Sequence, residues 1–126
     1  MMLTPRSRVI LLVDDDDETC NLMQAFLEQE SFEVLVTRDG QQAVDTFASR
    51  YKDIDLVISD FSLPQYSGRE LLVRMQKIAP DVRFVLTSGF VGAELEMQLR
   101  SMGVRDVIEK PFRFERLLER INNALR

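Results

Sequence analysis

The chain of 126 residues contains no histidine. That absence excludes Ser-His-Asp and Cys-His catalysis and the common histidine-bearing zinc sites. Cysteine is nearly absent as well. Cys20 stands alone, so no internal disulfide can form, and a reducing, cytoplasmic compartment is the expectation. Cys20 falls within an expected helix, has no base beside it, and reads as a structural thiol. No apolar run reaches the length of a membrane span. The opening Met1–Arg8 stretch is too short and too polar for a signal peptide. Basic charge is in deficit too: 16 lysines and arginines face 21 acids, a net charge of −5. Without a basic surface to neutralise phosphates along a groove, direct nucleic-acid binding is not expected.

What is present suits a single soluble domain: 45% of the residues are hydrophobic and 29% charged. Residues 1–7 read as a flexible lead-in and residues 8–126 as the domain. Short apolar runs alternate with longer helical patterns. Strands are expected at Arg8–Val13, Glu33–Thr37, Asp55–Asp60, Arg83–Thr87 and Val104–Ile108. The first, third and fourth are nearly continuous apolar runs, as strands buried on both faces are. Helices are expected at Glu18–Glu30, Gln41–Tyr51, Gly68–Ile78, Ala93–Met102 and Phe114–Leu125, where apolar residues recur at one-face spacing. Gly40, Pro80 and Gly103 punctuate the pattern, and Gly68 suggests a turn that needs positive φ. Five such units imply an α/β fold, a parallel sheet with helices on both faces.

Polar residues close the apolar runs. Asp14 and Asp15 follow the first, Asp60 ends the third, Thr87 the fourth, and Lys110 follows the fifth. Carboxyl ends of parallel strands are where open α/β sheets build their sites. Three acids, a hydroxyl and an ammonium gathered there suit a divalent cation and an oxyanion such as phosphate. Asp16, Asp17 and Glu18 extend the acid run and read as helix-start acids. A calcium loop is a poor fit, since Thr19 stands where that motif needs glycine and Ala25 where it needs glutamate.

With Val13-Asp14-Asp15-Asp16, Asp60-Phe61-Ser62-Leu63-Pro64 with Gly68, Leu86-Thr87-Ser88 and Lys110-Pro111-Phe112, the chain resembles the receiver domains of two-component response regulators over nearly its whole length. The resemblance implies a flavodoxin-like (βα)5 fold, a doubly wound five-stranded parallel sheet in the order 2-1-3-4-5. It implies Asp60 as phosphoacceptor, with Mg2+ held by Asp15, Asp60 and the carbonyl of Ser62, and by Asp14 through a bound water. It also implies Thr87, Lys110 and the Ser88 N–H as phosphoryl contacts, and a cis Lys110-Pro111 bond. The implied role is that of a signalling domain, not an enzyme acting on other molecules. A histidine kinase or histidine phosphotransfer protein is the implied donor. The face of the fourth helix, fifth strand and fifth helix is the implied contact for an output domain or downstream protein. The chain departs from the family at Val107, where members carry Tyr or Phe; Phe90, three residues after Thr87, is the candidate replacement. An aspartyl phosphatase of the haloacid dehalogenase kind would need a second aspartate where Ser62 stands. A flavin carrier would need a Ser/Thr/Gly-rich loop where Asp14–Asp17 stand.

Overall fold

Five short apolar runs form five parallel strands, each followed by a helix that packs back onto the sheet. The computed structural model describes residues 6–126. In chain order the elements are β1 (Val9–Val13), α1 (Asp17–Gln29), β2 (Glu33–Thr37), α2 (Gly40–Arg50), β3 (Leu56–Asp60), α3 (Gly68–Ile78), β4 (Phe84–Ser88), α4 (Ala93–Met102), β5 (Val104–Glu109) and α5 (Phe114–Ala124). The sheet order is β2-β1-β3-β4-β5, as expected, and every pairing is parallel. Of the lead-in expected over residues 1–7, residues 1–5 lie outside the described residues. Arg6 donates to the Asp55 carboxylate at 3.0 Å.

Strand alternation divides the core in two. Ile10, Leu12, Ile58, Val85 and Ile108 face α1 and α5, where they meet Cys20, Met23, Leu27, Leu117 and Ile121. Leu11, Val13, Val57, Phe84, Leu86 and Val107 face the other way, onto Phe47 of α2, Leu71, Leu72 and Met75 of α3, and Leu99 of α4. Each such buried side chain contributes about 1.5–3 kcal/mol relative to exposure, which secures the register of β1 and β3. Carried one step past the apolar residues, the α1/α5 phase arrives at Asp14, Asp60, Thr87 and Lys110. Between β4 and β5 the register shifts by one residue: Phe84 pairs with Val104, but Val85 pairs with Asp106.

Helix ends follow local chemistry. Asp16 caps α1 by accepting the Thr19 N–H at 2.9 Å, Asp39 caps α2, and Ser67 caps α3. After α1, the Ser31 N–H donates to the Glu28 carbonyl and the Phe32 N–H to the Leu27 carbonyl, both at 3.0 Å. That double bond pattern turns the chain through a left-handed residue. Here the residue is Ser31, with φ 73°. At the end of α4 the same task falls to Gly103, with φ 117°. Gly68 departs from expectation. Among the described residues, Gly103 is the positive-φ glycine, and Gly68 is the first residue of α3. The reason for glycine there is contact: a Cβ at Gly68 would lie 2.8 Å from the Asp60 carbonyl oxygen and 2.5 Å from Leu86 Cδ2.

Candidate functional site

Three strand ends converge on one cluster. Asp14 and Asp15 leave β1, Asp60 ends β3, and Lys110 follows β5. Each of the three acids presents a carboxylate oxygen, and these oxygens all lie within 4.8 Å of one another. Lys110 Nζ lies 3.3 Å from Asp14 Oδ2 and 3.2 Å from Asp60 Oδ2, so one ammonium bridges two carboxylates. The Lys110–Pro111 peptide bond is cis.

The carboxylates differ in setting. Asp14 is 2% exposed, Asp60 half-buried and Asp15 exposed. The Asp16 N–H donates to Asp14 Oδ1 at 2.9 Å, fixing that carboxylate at the entry to α1. Burial pushes the Asp14 carboxyl above its ordinary value, with the Asp60 charge adding to the rise; the Asp16 N–H and Lys110 oppose it. Burial also pulls the Lys110 ammonium down, but the carboxylates of Asp14 and Asp60 outweigh it, and its pKa is raised. The Ser62 N–H donates to Asp60 Oδ1 at 3.3 Å.

Thr87 and Asp60 are register partners on adjacent strands. Thr87 is buried, and its carbonyl accepts the Phe61 N–H at 2.8 Å, which ties the loop after Asp60 to β4. The Ser88 carbonyl accepts the Lys110 N–H at 2.6 Å. Every site residue expected from the sequence therefore lies on one rim of the sheet.

The donor set fits Mg2+. It is made of hard carboxylate oxygens, and a buried acid beside two others needs a cation. The chain has no histidine to favour zinc. The buried Cys20 directs its Sγ to the Asp14 carbonyl at 3.2 Å, and its thiol is pushed up to about 11, chiefly by burial. It is a structural residue, as expected.

The response regulator receiver domain family matches residues 10–122. This chain belongs to that family. Response regulator SaeR of Staphylococcus aureus is 27% identical over 116 residues, which is 92% of this chain and 50% of that protein. The receiver thus spans about half the length of the curated relatives it matches. A response regulator receiver domain protein from Clostridium thermocellum superposes with a TM-score of 0.88 at 26% identity, covering 94% of each chain. NtrX from Brucella abortus superposes at 0.85 and 30% identity, covering 95% of this chain and 27% of that one. The protein is a signalling receiver of the two-component kind. Among the described residues, no helix is long and apolar enough to cross a membrane.

The sequence did not reveal what surrounds the receiver's acids. The Asp16 amide on Asp14 and the contact at Gly68 have no signal beyond residue type. A cluster in which Asp106 meets Arg100 and Arg120 has no signature along the chain, because its members come from α4, β5 and α5. At the usual aromatic position, Val107 is 5% exposed within the α2–α4 side of the core. Phe90 is 80% exposed.

Proposed function

We propose that residues 8–126 form a phosphorylatable receiver unit in which Asp60 accepts a phosphoryl group from a phosphohistidine. The observation that carries this reading is the Lys110 ammonium shared between Asp14 and Asp60, with Asp15 alongside. An Asp60 carboxylate oxygen attacks phosphorus, the P–N bond breaks, and its electron pair returns to the imidazole of the donor. Asp14, Asp15, Asp60 and the Ser62 carbonyl are the residues that would hold Mg2+. When bound, Mg2+ screens the negative charge that carboxylate and phosphoryl oxygens bring together. Lys110 leaves its carboxylate pair and neutralises a phosphoryl oxygen. Thr87 Oγ1 and the Ser88 N–H donate to the others.

The donor is a histidine kinase or histidine phosphotransfer protein of the cytoplasm. The added charge draws Thr87 inward and shifts the α4–β5–α5 face between two populations, which a downstream domain or protein reads. Because Val107 stands at the usual aromatic position, Phe90 is the moving aromatic in this receiver. The domain catalyses only its own phosphorylation and dephosphorylation.

The test is incubation with a small phosphoryl donor and Mg2+, followed by intact-mass measurement. Gain of one phosphoryl group, lost in Asp60→Asn and without metal, is expected. No gain in a protein shown to bind Mg2+ would replace this reading with that of a constitutive binding module.

A further inference from the structure

Between β3 and α3, residues 61–67 form a loop that carries Ser62 at one end and Tyr66 near the other. Its ends are closed on each other. Ser62 and Ser67 pair in an isolated antiparallel bridge, and the Gly68 N–H donates to the Phe61 carbonyl at 2.7 Å. Whatever fixes Ser67 therefore fixes Ser62, whose N–H contacts the Asp60 carboxylate.

Tyr66 fixes it from outside. Its ring lies on the first residue of α2 so closely that a Cβ on Gly40 would come within 2.9 Å of Tyr66 Cγ. Its hydroxyl donates to Gln41 Oε1 at 2.8 Å, while the Gln41 N–H donates to Gln65 Oε1 at 3.1 Å. On its other side, the Arg74 guanidinium of α3 sits 4.2 Å from the ring centroid, a cation–π contact. One half-buried aromatic thus joins the loop to two helices, in a seat that a Cβ at position 40 would fill.

We propose that Tyr66 is a positioning residue: seated on Gly40 and under Arg74, it holds the β3–α3 loop in the conformation that presents Ser62 to the metal ion beside Asp60. The inference rests on the reading that Asp15, Asp60 and Ser62 hold Mg2+. Mutating the residues that orient the ligands of a metal typically costs about 10–100-fold in affinity. A loop already closed at Ser62–Ser67 loses less freedom when the ion binds.

The experiment is Mg2+ titration of the intact protein by calorimetry, together with amide hydrogen exchange of residues 62–67 in the absence of metal. Tyr66→Ala is expected to weaken Mg2+ binding by about tenfold and to speed exchange across the loop. Tyr66→Phe keeps the ring on Gly40 and should restore binding to within about twofold, since a single exposed hydrogen bond is weak. Gly40→Ala should reproduce the Tyr66→Ala defect by displacing the ring. The double variant should be no worse than either single one, because both remove the same contact. Asp15→Asn is the control for the underlying reading. If Asp15→Asn leaves Mg2+ affinity unchanged, the metal assignment fails. If Asp15→Asn weakens binding while Tyr66→Ala does not, or if the Gly40 and Tyr66 defects simply add, the positioning role is overturned and Tyr66 only stabilises the fold.

Discussion

Arg120 grips Asp106 with two hydrogen bonds, Nε to Oδ2 at 2.7 Å and Nη2 to Oδ1 at 2.6 Å. Arg100 reaches the same carboxylate from α4 at 2.9 Å, so one acid on β5 ties α4 to α5. Burial raises the Asp106 carboxyl, but the two guanidinium groups and the Val107 N–H outweigh it and hold the pKa below the ordinary 3.8. A carboxyl depressed in the folded state contributes stability that is fully present above its ordinary value. That contribution is lost as pH falls through the lower, folded-state value.

Asp106→Asn is therefore expected to destabilise the receiver at pH 7 by about 1–2 kcal/mol, the cost of leaving hydrogen-bonded charges without their partner. The difference from the parent protein should persist down to the ordinary carboxylate range and shrink below it. Urea midpoints measured from pH 7 down to pH 3 check this, and a difference that grows on acidification would contradict it.

Ser31 carries the left-handed turn after α1, a conformation that costs an L-residue roughly 1–2 kcal/mol and glycine almost nothing. Ser31→Gly should stabilise the fold by about 0.5–1 kcal/mol, the remainder being offset by the greater freedom of glycine in the unfolded chain. Thermal or urea unfolding gives the answer, with phosphorylation unaffected.

Gly68→Ala should do the reverse. Its Cβ would meet Leu86 and the Asp60 carbonyl, and backbone gives way less readily than a side chain. A loss of about 1–3 kcal/mol is expected, together with slower phosphorylation, because Asp60 itself must move. Unfolding midpoints and a phosphorylation time course would register both effects; unchanged values would show that the contact relaxes freely.

Mg2+ should raise the thermal midpoint. At a hundred times its dissociation constant, an ion bound only by the folded chain stabilises by about 2.7 kcal/mol. Asp15→Asn should abolish most of that increment. A midpoint that climbs equally in both proteins would point to a general salt effect.

Much of this was legible in the sequence, for a physical reason. Runs such as Val9–Val13 and Leu56–Ser59 are buried on both faces, so they announce themselves by hydropathy, and the acids that end them stand out by contrast. Each strand and helix falls within one residue of its expected bounds. Phe84–Ser88 and Val104–Glu109 each run one residue further than hydropathy indicates, because ladder pairing continues past the last apolar side chain. What depended on tertiary proximity was not legible. Gly68 looked like a turn glycine because composition carries no record of the Asp60 backbone pressing on it. Tyr66 and Arg74 lie 26 and 34 positions after Gly40 along the chain, and nothing in that spacing joins them. The Asp106 cluster was hidden for the same reason.

The register shift between β4 and β5 has a further consequence. Alternation along a strand is a two-beat clock, and counted strictly from Val104 it would put Lys110 on the α2–α4 side. Arg105 is a beat outside the count: Val104 and Val107, three positions apart, share one side, and Ile108 stays in step with its partner Thr87. The bulge is thus slack in β5, taking up one residue before the site without changing the parity beyond it. Loss of Arg105 should leave the lysine aimed at the carboxylates, whereas loss of one residue between Val107 and Lys110 would turn it away.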